Sequence, residues 1–136
     1  MPKPLILCAD DADCFLLVWE TVLQDSGFRV LIARDGKEAL HLFQSHPVDL
    51  ALLDYHMPQM NGDKAAEQMR ACKADIPIAL LSADIVPPSA LDSVDAFVSK
   101  GEPVNRLLEI VNHLLDLRAL FQPLPGLGSH SHRKAA

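Results

Sequence analysis

The chain is 136 residues long, the common size of one domain and enough to enclose an apolar core. Its net charge of −6 argues against a broad nucleic-acid surface, because phosphate backbones select basic faces, and no apolar run approaches the length that crosses a bilayer. Three cysteines without metal-ligand spacing, and an N-terminus without the basic-then-apolar pattern of a signal peptide, predict free thiols in a reducing compartment and so a soluble, cytoplasmic protein.

Two kinds of segment alternate along the chain. Leu5 to Ala9 is an apolar run that ends in Asp10-Asp11 and reads as a first strand. Phe15, Val18, Trp19, Val22 and Leu23 follow at helical spacing, with Gly27 placed just past a helix end. Phe28 to Ala33 is rich in β-formers and predicts a second strand, and Lys37 to Gln44, opened by Asp35-Gly36, predicts a second helix. Leu50 to Leu53 is too short for a helix; it reads as a strand buried on both faces that delivers Asp54 at its C-terminal end. Pro58 and Gly62 punctuate the chain before a third helix over Asp63 to Cys72. Ile76 to Leu81 and Asp95 to Ser99 predict strands four and five, and the segment between them, broken by Pro87-Pro88, has room for a turn or two of helix. The last helix opens at Pro103 and carries Val104, Leu107, Leu108, Val111 and Leu115 on one face. Residues 121–136 are rich in Pro, Gly, Ser and His and are expected to form a flexible tail on a domain spanning 1–120.

Strands that alternate with helices predict an α/β fold with a parallel sheet and helices on both faces, although periodicity leaves the strand order open. In such a sheet the strand C-termini share one edge, where ligands bind. Asp10, Asp11, Asp54, Ser82 and Lys100 all fall at that edge. Three carboxylates in one place repel one another and are tolerated around a hard divalent cation such as Mg²⁺. Asp11 and Asp54 are the expected direct ligands, Asp10 binds directly or through water, and the His56 backbone carbonyl completes the protein's share. Asp54 is then a nucleophile for a phosphoryl group, with Lys100 and Ser82 as donors to its oxygens.

In this order the acidic pair, Asp54 followed by Met57-Pro58 and Gly62, Ser82-Ala83, and Lys100 resemble the receiver (CheY-like) domain of bacterial two-component response regulators over residues 3 to about 118. The resemblance implies a flavodoxin-like, doubly wound five-stranded sheet of order 2-1-3-4-5 and a Mg²⁺-binding phosphoprotein. It implies that Asp54 is phosphorylated by a sensor histidine kinase or phosphotransfer protein within a phosphorelay. It also implies a coupled switch, here Ser82 and Phe97, that alters the surface near strand five. The sequence departs from the family in two places: Gly101 stands where a proline usually follows the lysine, and the interval from Ser82 to Lys100 is short by about a helical turn, which shortens helix four.

With no output domain following it, the chain is expected to be a stand-alone receiver, not an enzyme, that signals to a downstream protein through changed contacts. The alternatives are a receiver-like interaction module that works without phosphorylation and a Mg²⁺-dependent phosphohydrolase; the second lacks a further acid/base carboxylate close after Asp54. A second apolar line on the last helix, Ile110, Leu114, Leu117, Leu120 and Phe121, predicts a partner or homodimer contact.

Overall fold

Runs of three to five apolar residues, each bounded by polar or turn residues, become the strands of a single sheet. The computed structural model describes residues 2–121, so the tail expected over 121–136 lies outside the described residues except for Phe121. The strands are β1 (Leu5–Ala9), β2 (Arg29–Ala33), β3 (Leu50–Asp54), β4 (Ile78–Ser82) and β5 (Ala96–Ser99). All pairings are parallel, in the order β2-β1-β3-β4-β5 that a flavodoxin-like fold requires. Between them run α1 (Asp13–Asp25), α2 (Gly36–Ser45) and α3 (Gly62–Cys72), and α4 (Val104–Leu120) follows β5.

Side chains alternate across the sheet, so each central strand feeds two cores and must be apolar throughout. On one side, Ile6, Cys8, Leu50, Leu52 and Leu81 pack under Leu16, Trp19 and Leu23 of α1 and Leu107 and Val111 of α4. On the other, Leu7, Leu53, Ile78 and Leu80 pack under Ala39 and Phe43 of α2 and Ala65 and Met69 of α3. Helix ends match their sequence signals. Gly27 follows α1 at φ 95°, and the Asp35 side chain accepts the Glu38 N–H at 2.7 Å as the cap of α2.

Two glycines draw the helices onto the loop after β3. A Cβ on Gly62 would stand 2.3 Å from the Asp54 carbonyl oxygen, and one on Gly36 would stand 2.1 Å from the Met60 carbonyl oxygen. No side chain fits at either place. The Gly62 N–H donates to the Tyr55 carbonyl at 2.9 Å, so α3 begins directly beneath the end of β3.

The structure departs from the sequence reading at several element ends. β4 starts at Ile78 because the Ile76 N–H turns back to the Lys73 carbonyl and Pro77 has no N–H to give. Pro103 lies one residue ahead of the last helix, as its N-cap, where its missing donor is equally harmless. The shortened fourth helix is a single 3-10 turn, Pro88–Leu91. Arg70 of α3 holds this short connection in place, donating to the Ser93 carbonyl at 3.2 Å and to Asp95 Oδ2 at 2.6 Å. On α4, Leu114, expected on the second apolar line, belongs to the core with Leu107 and Val111, because positions 107, 111 and 114 share one face. Of the second apolar line, the exposed side chains are therefore those at the end of the helix, Leu117, Leu120 and Phe121.

Gly62→Ala tests the close approach beneath Asp54. Helix propensity alone would favour alanine by up to about 1 kcal/mol, whereas overpacking costs about 1–3 kcal/mol, so a lower urea midpoint is expected. An unchanged or higher midpoint would show that α3 can move away freely.

Candidate functional site

Parallel strands bring distant residues to one edge. Asp10 follows the last residue of β1, and its N–H donates to the Ala33 carbonyl of β2 at 3.1 Å, which fixes the turn into α1. Asp54 closes β3 and Ser82 closes β4. Lys100 lies one residue beyond β5, with its N–H donating to the Ser82 carbonyl at 2.9 Å, so the ladder extends to the lysine itself.

The Lys100 ammonium bridges two carboxylates. Nζ lies 2.6 Å from Asp10 Oδ2 and 3.0 Å from Asp54 Oδ1, with the lysine side chain 8% exposed and Asp10 fully buried. The other Asp10 oxygen, Oδ1, accepts the Ala12 N–H at 2.8 Å. Asp11 is exposed beside them, and Asp10, Asp11 and Asp54 offer one oxygen each within 4.8 Å of one another. Three carboxylates and one ammonium leave two negative charges without a local partner. That donor set fits a hard divalent cation, which takes carboxylate oxygens and water.

The charge balance appears in the acidity of Asp54. Its pKa is pushed up from 3.8 to about 6, mainly by burial; the Lys100 hydrogen bond opposes the rise, while the charges of Asp10 and Asp11 add to it. For Lys100, burial works against the charged form, but hydrogen bonds to Asp10 and Asp54 outweigh it and raise the pKa above its ordinary value. The lysine is therefore a fixed cation at neutral pH.

The remaining predicted residues surround this core. Ser82 is buried, and its Oγ accepts the Asp84 N–H at 3.0 Å, which leaves its own proton to donate. Phe97 pairs with Leu80 in the ladder and is 39% exposed, on the face opposite buried Val98, where a longer fourth helix would have covered it. The His56 imidazole is exposed, with Nε2 3.9 Å from Asp84 Oδ2, so its side chain faces the neighbouring loop. Sequence reasoning missed two contacts. Phe15, assigned only to the apolar face of α1, has its ring centroid 4.2 Å from Lys100 Nζ, and Trp19 lies 5.8 Å away. Their i, i+4 spacing shortly after the acidic pair was the available signal.

Comparison with known proteins gives a consistent result. The response regulator receiver domain family model matches residues 6–112. The sensor protein GacS of Pseudomonas syringae pv. syringae is 34% identical over 131 residues, covering 90% of this chain and 14% of that protein. The chemotaxis protein CheY of Bacillus subtilis is 29% identical over 116 residues, covering 82% of this chain and 97% of that protein. The chain spans only 9%, 14% and 26% of GacS from Pseudomonas protegens, GacS from Pseudomonas syringae and the regulatory protein AtoC of Escherichia coli. Among solved structures, the response regulator TrrA of Thermotoga maritima in complex with Mg²⁺-BeF matches with a TM-score of 0.78 and 32% identity, covering 82% of this chain and 99% of that one. A CheY-like receiver from Methanospirillum hungatei, 22% identical, shares the fold with a TM-score of 0.84 over 88% of this chain and 99% of that one.

The raised Asp54 pKa sets a pH dependence of stability. Between pH 3.8 and about 6 the native carboxyl holds a proton that the unfolded chain has released, so this group's contribution to stability falls as pH rises through that window and levels off above it. In urea unfolding without divalent cations, the parent should lose stability relative to Asp54→Asn from pH 4 to 6. A difference that stays flat across the window would refute the burial of Asp54.

Proposed function

The chain belongs to the response regulator receiver domain family, and on that premise we propose that Asp54 accepts a phosphoryl group from a sensor histidine kinase or phosphotransfer protein. The observation that carries this reading is the Lys100 ammonium held at 2.6 and 3.0 Å between Asp10 and Asp54 at the sheet edge. A carboxylate oxygen of Asp54 attacks the phosphorus of the donor, the bond from phosphorus to the donor's leaving group breaks, and an acyl phosphate remains. Lys100 turns to a phosphoryl oxygen as a charge-assisted donor, and the Ser82 hydroxyl donates to another. Asp10, Asp11 and Asp54, with the His56 carbonyl, would hold a Mg²⁺ ion, which would supply positive charge to offset the crowded carboxylates.

The output is a changed surface. As Ser82 engages the phosphoryl group, the Phe97 side chain shifts from its half-exposed position on β5, and downstream protein contacts change. The chain then acts as a cytoplasmic switch rather than an enzyme. Among the described residues no helix is long and apolar enough to cross a membrane. A second reading, a module that binds its partner without phosphorylation, is favoured by one observation. The fourth helix is reduced to Pro88–Leu91, which leaves Leu91 and Phe97 exposed without a phosphoryl group.

Intact-protein mass after incubation with Mg²⁺ and acetyl phosphate tests the first reading. The parent should gain one phosphoryl group and Asp54→Asn none, and chelation of Mg²⁺ should abolish the gain. A parent that gains none from acetyl phosphate or from a phosphorylated histidine kinase would leave the second reading. The exposed end of α4 is our assigned homodimer contact, through Leu117, Leu120 and Phe121. Light scattering should then report a dimer that Leu120→Glu dissociates, and a strict monomer at high concentration would exclude it.

A further inference from the structure

A buried ammonium needs partners on every side, and Lys100 has oxygens on only part of its surface. Among the described residues its oxygen partners are Asp10 Oδ2 at 2.6 Å and Asp54 Oδ1 at 3.0 Å. A further side is closed by an aromatic face: the ammonium lies over the Phe15 ring, 4.2 Å from its centroid, with Trp19 behind at 5.8 Å. The two rings are 6.0 Å apart and tilted by 44°, one helical turn apart on α1, so Trp19 backs Phe15. Phe15 is only half-buried, at the top of the helix beside the sheet edge, whereas Leu16, Trp19 and Leu23 occupy the core.

A ring face solvates a cation without presenting a localised negative charge. A carboxylate there would add a third anion and hold the ammonium back; an aliphatic side chain would leave one side unsolvated, and a flexible four-carbon stem free to wander. We propose that Phe15 is a positioning residue for phosphoryl transfer: its ring holds the Lys100 ammonium between Asp10 and Asp54 while leaving it free to exchange an aspartate oxygen for a phosphoryl oxygen. This role rests on Lys100 as the phosphoryl-oxygen donor.

Fluorinated phenylalanines at position 15 separate electrostatics from packing, because successive fluorines weaken the ring's negative face and change its shape little. With acetyl phosphate and Mg²⁺, the logarithm of the phosphorylation rate should fall in step with fluorination. Phe15→Leu should be about 3- to 30-fold slower than the parent, matching the usual range for such contacts, and Phe15→Tyr should restore the rate. Melting temperatures across the fluorinated series identify any variant whose fold is compromised. A parent that is phosphorylated with a flat fluorinated series overturns the positioning role and reduces Phe15 to packing.

A second readout needs no phosphoryl group. In the unphosphorylated protein the ε-methylene protons of Lys100 should show an upfield ring-current shift by NMR that disappears in Phe15→Leu. If the parent takes no phosphoryl group, the proposed function fails, and the shift still decides the contact: its presence supports the ring as the wall that holds Lys100, and its absence overturns it.

Discussion

The ammonium of Lys100 between Asp10 and Asp54 is the interaction on which this site depends. Two buried carboxylates facing each other without a cation would repel strongly in the low-dielectric interior, and one would be forced to take up a proton. The lysine keeps them together, and it reaches them only because parallel pairing brings the ends of β1, β3 and β5 to one edge. Its backbone is held by the same ladder, through the N–H bond to the Ser82 carbonyl. The cation is therefore placed from both ends, by its main chain and by the carboxylates and aromatic face around its tip.

The balance is deliberately incomplete in its electrostatics. One ammonium does not offset three carboxylates, and the Asp54 pKa near 6 records the residual strain of burying that charge. A site in this condition is less stable than one with matched charges, and it gains from any ligand that brings positive charge to the exposed Asp11 side. The scaffold beneath it is correspondingly tight. Gly62 under the Asp54 carbonyl and Gly36 against Met60 leave no space for a side chain, so the end of β3 at Asp54 and the loop that follows it rest directly on α2 and α3.

The other side of the sheet edge is looser. Where a fourth helix would cover β5, this chain has one 3-10 turn, and Arg70 reaches across from α3 to hold the connection by Ser93 and Asp95. Polar contacts replace the apolar packing that a full helix would bring. Phe97 consequently lies half in solvent on β5.

The sequence was enough for the element types, the buried strands and the residues of the edge. Leu50 to Leu53 leading into Asp54 could only be a strand buried on both faces, and acidic, hydroxyl and basic residues at successive strand ends identify a shared site. The strand order came from the resemblance, because apolar runs of similar composition do not say which neighbour each one pairs with. Only the tertiary structure decided the rest. It placed Leu114 in the core, since the angular position of one residue on α4 depends on where the sheet lies beneath it. It also made Phe15 a neighbour of Lys100, since a contact between residues so far apart in the chain exists only after the sheet has assembled. Periodicity records which residues leave water; which partners they meet is settled by packing, and packing is a property of the whole chain at once.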